Sequence, residues 1–404
     1  MPATPPLIAD AGSSSAPAAA ASPTDRSAGT DPIAAARSLQ PLIESETADE
    51  SRNDSMTPAI VAAIDEARLF HLAVPADLGG AEAPVETILA ATEALAFADG
   101  SVGWCYAQNI TVMSFSAYLA RNFADEVAGA TAAAGMFAPI GKASLADPDF
   151  MVEGRYPFGS GSSYADHIGG AVFVEDAEAN GLDPLEFLRG FLVPADRVEL
   201  LGNWDVMGLR GTGSFDFHVP RQRVAAGQTF SLLAAKVITG GPFYQLGPIV
   251  LAGVPSTAWA LGVAERALAE MALVAKAGRT RMGSIRLVEQ PAFLEQWGSH
   301  ATALAAARDA FAAATNGAID AHARQLGTDE IATATALVKS TGSFVVDMAK
   351  RATTFAWEAA GSAAIRNPSR LQRCYRDMSV GSGHLVWDRR NYAEYAQSRL
   401  GIGA

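Results

Sequence analysis

Cysteine is scarce: Cys105 and Cys374 are the only two in 404 residues, far apart and in no ligand-like pattern. No C-x-x-C, H-E-x-x-H or G-x-x-x-x-G-K-S/T run occurs, so neither a metal site nor a phosphate loop has support. Two thiols without a framework suit a reducing cytoplasm and read as small buried hydrophobes. Positive charge is also short, with 30 Lys and Arg against 43 Asp and Glu and a net charge of −13. That balance excludes a general nucleic-acid or anionic-membrane partner, which needs a basic face. The N-terminus lacks the basic start and continuous apolar core of a signal peptide, and residues 1–30, rich in Ala, Ser and Pro, read as a disordered tail. One uncharged run, Gly240 to Ala264, is long enough to span a bilayer. It is broken by Pro242, Pro248, Pro255 and Gln245, and reads instead as a turn plus the buried start of a bundle helix in a soluble protein.

What is abundant is hydrophobic surface, 49% of residues, enough for a large multi-layer core. Asp31-Pro32 and Thr57-Pro58 are helix starts, each an N-cap residue followed by proline. Ile33, Ala36, Leu39 and Ile43, then Ile60, Ile64 and Ala67, recur at helical spacing. Val85 to Phe97 predicts a third helix, and Ser101 to Leu119 a buried one. After Gly135 the pattern changes. Phe150–Tyr156, Ile168–Val174, Phe187–Val193 and Phe215–Val219 are short apolar segments between turn residues, the signature of a small β domain. From Pro248 onward the stripes are helical again, over Val254–Ala277, Pro291–Ala314, Asp329–Trp357 and Pro368–Met378, which predicts an antiparallel four-helix bundle. Its alanine content favours close helix approach and a helical subunit interface.

Three loops carry groups that can do chemistry. Phe158-Gly159-Ser160-Gly161-Ser162-Ser163-Tyr164 joins a flexible backbone to hydroxyls, and Trp204 to Ser214 places an indole before a Gly/Thr/Ser turn. Such loops suit a flat heteroaromatic ring or a phosphate, and equally suit hairpin turns. In the third, Gly381-Ser382-Gly383-His384 ends a helix and delivers one imidazole beside Leu385, Val386 and Trp387. A histidine at the lip of an apolar wall is either an acid–base group or a polar loop residue. His71, His167, His218, His300 and His322 lie in no motif.

Helices, then strands, then a helical bundle is the order of the acyl-CoA dehydrogenase fold, and several segments resemble that superfamily. Val74-Pro75-Ala76-Asp77-Leu78-Gly79-Gly80 is similar to its V-P-E-x-x-G-G turn, and Met207-Gly208-Leu209-Arg210 to its M-G-x-R turn. Arg279-Thr280-Arg281-Met282-Gly283 with Gln290 resembles R-x-x-F-G followed by Gln, and Arg376-Asp377 resembles the terminal R-D. The resemblance implies an α+β, mostly α protein: an N-terminal helical domain over 31–134, a middle β-barrel domain over 135–226 and a C-terminal four-helix bundle over 227–404.

The dehydrogenases carry a catalytic glutamate eight residues after the R-D aspartate. Here that position is Leu385, and the alternative stretch Tyr244 to Leu251 holds no acid. The loop instead resembles the oxygenase component of two-component flavin-dependent monooxygenases, of the p-hydroxyphenylacetate hydroxylase and dibenzothiophene monooxygenase type. These have a histidine in this loop, a W-S-F-x-S-G turn, similar to Tyr156-Pro157-Phe158-Gly159-Ser160-Gly161, and a tryptophan ahead of G-x-R-x-T-x-S, similar to Trp204 through Ser214. Gly100-Ser101-Val102-Gly103-Trp104 with Asn109 is similar to their first-domain pocket helix.

That resemblance implies reduced FMN or FAD and O₂, reacting through a flavin C4a-hydroperoxide to oxygenate a small aromatic or heteroatom-containing substrate. It implies catalytic roles for His384 and Ser160, and flavin contacts from Ser160, Trp204, Thr212, Ser214 and Arg279. Trp104, Asn109, Phe158 and Trp387 would line the substrate pocket. A separate NAD(P)H:flavin reductase and a homotetramer are expected, in the cytoplasm, with no membrane or nucleic acid. The alternatives are an FAD-dependent acyl-CoA dehydrogenase or oxidase, and a non-catalytic scaffold of the same fold.

Overall fold

A computed structural model describes residues 31–49, 54–280 and 285–402. The expected tail over 1–30 and the Arg281-Met282-Gly283 part of the R-x-x-F-G resemblance lie outside the described residues. A compact unit begins at Pro32.

The chain opens with α1 (Pro32–Ser38), α2 (Gln40–Glu46), α3 (Pro58–Glu66), α4 (Val85–Ala98), α5 (Gly100–Ser114) and α6 (Arg121–Ala128). Thr57 caps as its sequence signal predicts, its hydroxyl accepting the Ile60 N–H, and Asp99, at the end of α4, also caps α5, its carboxylate accepting the N–H groups of Ser101 and Val102. Helix α5 is buried along almost all of its length, so its few polar side chains need protein partners.

Seven strands follow: β1 (Ala133–Ala146), β2 (Asp149–Gly159), β3 (His167–Val174), β4 (Leu188–Pro194), β5 (Glu199–Leu200), β6 (Phe215–Val224) and β7 (Thr229–Ser231). They form one mixed sheet in the order β5-β6-β2-β1-β3-β4-β7, parallel only between β1 and β3. The expected barrel is therefore an open sheet in its hydrogen bonding, with β5 and β7 at its edges. Its own core packs Val152, Ile168, Phe191 and Phe217, and Tyr156 stacks on Phe217 with centroids 5.0 Å apart. Strand β1 had no sequence signal. It is Ala-rich with Pro139 inside it, and its pairing with β3 shifts register on both sides of that proline, which has no N–H for the ladder.

Three long helices complete the unit, α7 (Pro248–Lys276), α8 (Pro291–Ala323) and α9 (Thr328–Ala360), with the shorter α10 (Arg370–Gly381) and α11 (Arg390–Leu400). Helix α7 starts at Pro248 rather than Val254 and runs through Pro255. It is long and apolar enough to cross a membrane, but 78% of that apolar window is buried inside the protein. Helix α10 keeps Gly381 in its last turn, where the sequence predicted a break. A Cβ there would lie 2.1 Å from the Trp259 ring, so the glycine serves close approach rather than helix termination.

Helix α10 is also the strap that joins the layers. The Asp377 carboxylate accepts the Leu209 N–H at 2.6 Å, and Arg376 donates to the Met207 carbonyl at 2.9 Å. Arg373 pairs with Asp99, the cap of α5, at 3.0 Å. Between these contacts Gly208 presses on the Arg376 backbone, where an added Cβ would meet the carbonyl oxygen at 2.3 Å. Gly208→Ala should therefore lower stability by about 1–3 kcal/mol, as overpacking does. Gly253→Ala in α7, where a Cβ meets nothing within 4 Å, should be neutral or stabilising by up to about 1 kcal/mol. Denaturant midpoints of the two variants check both expectations.

Candidate active site

The site grows from the loop after β2. Phe158 adopts a left-handed backbone, φ 63°, as do Leu209 at φ 57° and Gly213 at φ 50° in the facing loop. Non-glycine residues there are uncommon and need tertiary support. That support is a chain of hydroxyls. The Trp104 indole N–H donates to Ser160 Oγ at 3.1 Å, Ser160 pairs with Ser214 at 2.7 Å, and Ser214 with Thr212 at 2.7 Å. Thr212 Oγ1 also donates to the Leu209 carbonyl at 2.8 Å.

The end of the chain sets its direction. With the Thr212 proton on Leu209, Ser214 must donate to Thr212 and Ser160 to Ser214. Each hydroxyl proton is thus engaged within the protein, and Ser160 keeps only acceptor capacity. Ser160, Thr212 and Ser214 are all buried, so they brace the two loops from behind. In front, Phe158 is 57% exposed and Met207 58%, and Phe158 meets the Trp204 ring edge-on at 6.2 Å. Trp204 donates its N–H to the Leu209 carbonyl at 3.2 Å. An exposed aromatic shelf over this polar loop, in which Ser162 Oγ is buried without a partner among the described residues, can cover a flat ring.

Four rings meet behind the His384 loop. Trp104 packs edge-on against Trp259 at 4.8 Å, against His384 at 5.6 Å and against Trp387 at 6.3 Å. Trp387 stacks on Trp259 at 6.3 Å and 14°, and its N–H donates to Thr257 Oγ1 at 3.0 Å. His384 caps the short turn Leu385–Trp387: its Nδ1 accepts the Val386 N–H at 3.3 Å, which assigns the ring proton to Nε2. Although part of its surface reaches water, surrounding protein atoms disfavour its charged form and lower its pKa to about 4. The imidazole is neutral at physiological pH.

Ser160, Thr212, Ser214, Trp104, Trp387 and His384 thus form one connected group, with Phe158 and Trp204 at its front. Asn109 is fully buried beside it, donating to the Ala133 carbonyl at 2.9 Å and accepting the Tyr164 hydroxyl at 2.7 Å. Arg279 stands at the end of α9, bonded to Ser362 at 3.3 Å. Its Nε is buried with no acceptor among the described residues, a spare donor that suits an anion. Sequence reasoning missed Trp259 and Thr257, which hold Trp387; the available signal was Gly381, a glycine on a helical stripe with a large ring opposite.

Leu385 occupies the position of the dehydrogenase glutamate and is 66% exposed, while the next carboxylate along the loop, Asp388, is paired with Arg390. Arg376 and Asp377, midway along α10, grip the Met207–Leu209 turn.

A mixed sheet combined with long helices and this loop set is similar to the acyl-CoA dehydrogenase fold. Residues 255–389 match the family described as acyl-CoA dehydrogenase, C-terminal domain, a span that closes just past His384. The chain is similar to the indole-3-acetate monooxygenase of Pseudomonas putida, 26% identical over 78% of this chain and 80% of that protein. It is similar to the flavin-dependent monooxygenase oxygenase subunit HsaA of Mycobacterium tuberculosis, 25% identical over 85% of this chain and 88% of that one. In fold it matches XiaF from Streptomyces sp., solved with FADH2 and glycerol, with a TM-score of 0.81, 21% identity and coverage of 92% and 95%. The resemblance is thus to flavin-dependent monooxygenases built on the acyl-CoA dehydrogenase fold.

The low pKa has a measurable consequence. Because the folded value near 4 lies below the reference of 6.5, the unfolded chain binds the extra proton between those values. The His384 contribution to stability should be full above pH 6.5 and shrink as pH drops toward 4, while Glu93, raised to about 7 by burial, acts in the opposite direction between 4.5 and 7. His71, lowered to about 4 by burial, acts with the same sign as His384. His384→Gln should reduce the slope of the denaturant midpoint against pH without abolishing it, and ¹⁵N imidazole shifts should show His384 uncharged at pH 6.

Proposed function

We propose that this protein is the oxygenase component of a two-component flavin-dependent monooxygenase, taking reduced FMN or FAD and O₂ to oxygenate a small aromatic or heteroatom-containing substrate. The observation that carries the reading is the neutral His384, with Nε2–H free of its own turn, set against Trp104 and Trp387 where a dehydrogenase would present a carboxylate. With its Nδ1 lone pair taken by the Val386 N–H and its proton on Nε2, the neutral ring has no free basic nitrogen with which to replace a glutamate in removing a carbon-bound proton. It can hold a proton on Nε2 and donate a hydrogen bond to an oxygen brought beside it.

The residues present fit a flavin. Phe158 and Trp204 offer a shelf for a flat ring, and Ser160 retains acceptor capacity, the polarity that a reduced ring N–H requires. Thr212 and Ser214 brace that shelf, and Arg279, which follows the far end of α7 from Thr257 and keeps a spare donor, would take a phosphate across a subunit contact. When bound, reduced flavin supplies the electrons that activate O₂. The indoles around His384 keep water from the reacting atoms. Substrate would lie against Trp104 and Trp387, with Asn109 and Tyr164 fixing the helix behind.

Since the relatives are described as an oxygenase subunit and a monooxygenase, a separate NAD(P)H:flavin reductase completes the system. Homotetramer formation is supported by apolar side chains exposed on the bundle, Leu273 at 61%, Leu294 at 52% and Phe344 at 41%. Cytoplasmic placement is supported by the two unpaired thiols.

Rapid mixing of the reduced-flavin complex with O₂ and a phenol should yield oxygenated product. His384→Ala should fold normally, cut the product formed per O₂ consumed at least tenfold and release H₂O₂ instead. An unchanged product yield would remove His384 from the mechanism, and flavin bleaching by an acyl-CoA without oxygen would overturn the class of reaction.

A further inference from the structure

Against the turn Leu385–Trp387 lies a cavity of about 240 Å³ whose walls include neither His384 nor Trp104. It is half open to solvent and bounded by the start of α7, the middle of α9 and the first turn of α11, and its walls include Val250, Phe311, Val338 and Trp387. Two glycines inside helices also line it, Gly253 of α7 and Gly342 of α9. A glycine in a helix interior is disfavoured relative to alanine, so close packing is the usual reason for one. Gly342 has that reason, since an added Cβ would lie 3.2 Å from Thr257 Oγ1. Gly253 does not: nothing lies within 4 Å of the position its Cβ would take. What the missing side chain preserves is the space itself.

The polar groups around that space say what fits it. Lys339 is paired with Glu394 and Arg390 with Asp388, so the cations at the rim are already matched. Asn391, 5% exposed, donates to the Val386 carbonyl at 2.9 Å and to Ser343 Oγ at 2.9 Å. Its amide oxygen accepts a hydrogen bond from no described residue. An apolar cavity of about 150 Å³ takes a benzene ring, and drug-sized ligands need about 300 Å³ or more. We propose that this cavity is a second small-molecule site, for a compact, uncharged ring compound with one hydroxyl or N–H donor, of the phenol class. Such a ligand would support the turn that His384 caps, because Trp387 is wall to the cavity and neighbour to His384 at 5.8 Å. Any effect on turnover rests on the oxygenase reading; the binding does not.

The test is equilibrium dialysis and ¹⁹F NMR with 4-fluorophenol on the full, flavin-free chain, wild type against Gly253→Phe. The variant should bind one equivalent fewer per chain, with unchanged helix content by circular dichroism and reduced-flavin affinity within twofold. Equal stoichiometry in the two proteins overturns the proposal. So does full binding accompanied by a changed oligomeric state, which would make this face a contact between copies. If phenylalanine prevents folding, Gly253→Leu is measured against the same outcomes. Failure of the oxygenase reading would appear as absent turnover with reduced flavin and would leave the dialysis result unaffected.

Discussion

The Asp377 carboxylate and the Leu209 N–H meet at 2.6 Å in a buried position, and three parts of the chain are tied through their neighbourhood. Arg376 holds the Met207 carbonyl, Gly208 lets the two backbones touch, and Arg373 reaches Asp99 at the start of α5. A buried charge is tolerable only when it is paired and hydrogen-bonded, so these residues constrain one another. If α10 shifted, it would unseat the Met207–Leu209 turn and the cap of α5 together. Both Trp104 on α5 and Thr212 in the following turn depend on that register.

What the strap secures is a site whose polar groups answer to one another before any ligand arrives. The Trp104 N–H feeds a line of three hydroxyls that ends on the Leu209 carbonyl, next to the Asp377 contact. The same indole touches His384, Trp259 and Trp387. Trp104 therefore links the loop set after the sheet with the loop set after α10. Preorganised dipoles of this kind need little rearrangement when charge develops nearby. A histidine among indoles whose Nδ1 is taken by the Val386 N–H presents Nε2–H as a donor and no free base, which separates this chain from dehydrogenases on the same fold. A fold alone does not choose a chemistry; the side chains placed on it do.

Much of this was legible in one dimension. The N-cap at Thr57, the short apolar run from Ile168 to Val174 between turn residues and the stripes of the long helices follow from local preferences that act within a few residues. The missing glutamate at Leu385 and the presence of His384, Trp204 and Ser160 needed only the order of residues. Strand β1 escaped notice because small side chains and Pro139 give no alternation, and its place comes from pairing with β3 across the sheet. Gly381 and Gly208 read as turn residues, yet each is required by a backbone or ring arriving from far along the chain.

The sequence by itself therefore determined the element types, the balance of helix and strand and the identity of the groups able to do chemistry. Only the tertiary structure decided what those groups are. It turned Ser160 into an acceptor by committing its proton to Ser214, and it lowered the His384 pKa by crowding the ring with protein atoms. It gave Trp259 and Thr257 a purpose in holding Trp387, and left Gly253 facing open space. Hydrogen-bond direction, desolvation and cavity volume arise between residues distant in the chain, so no local pattern encodes them.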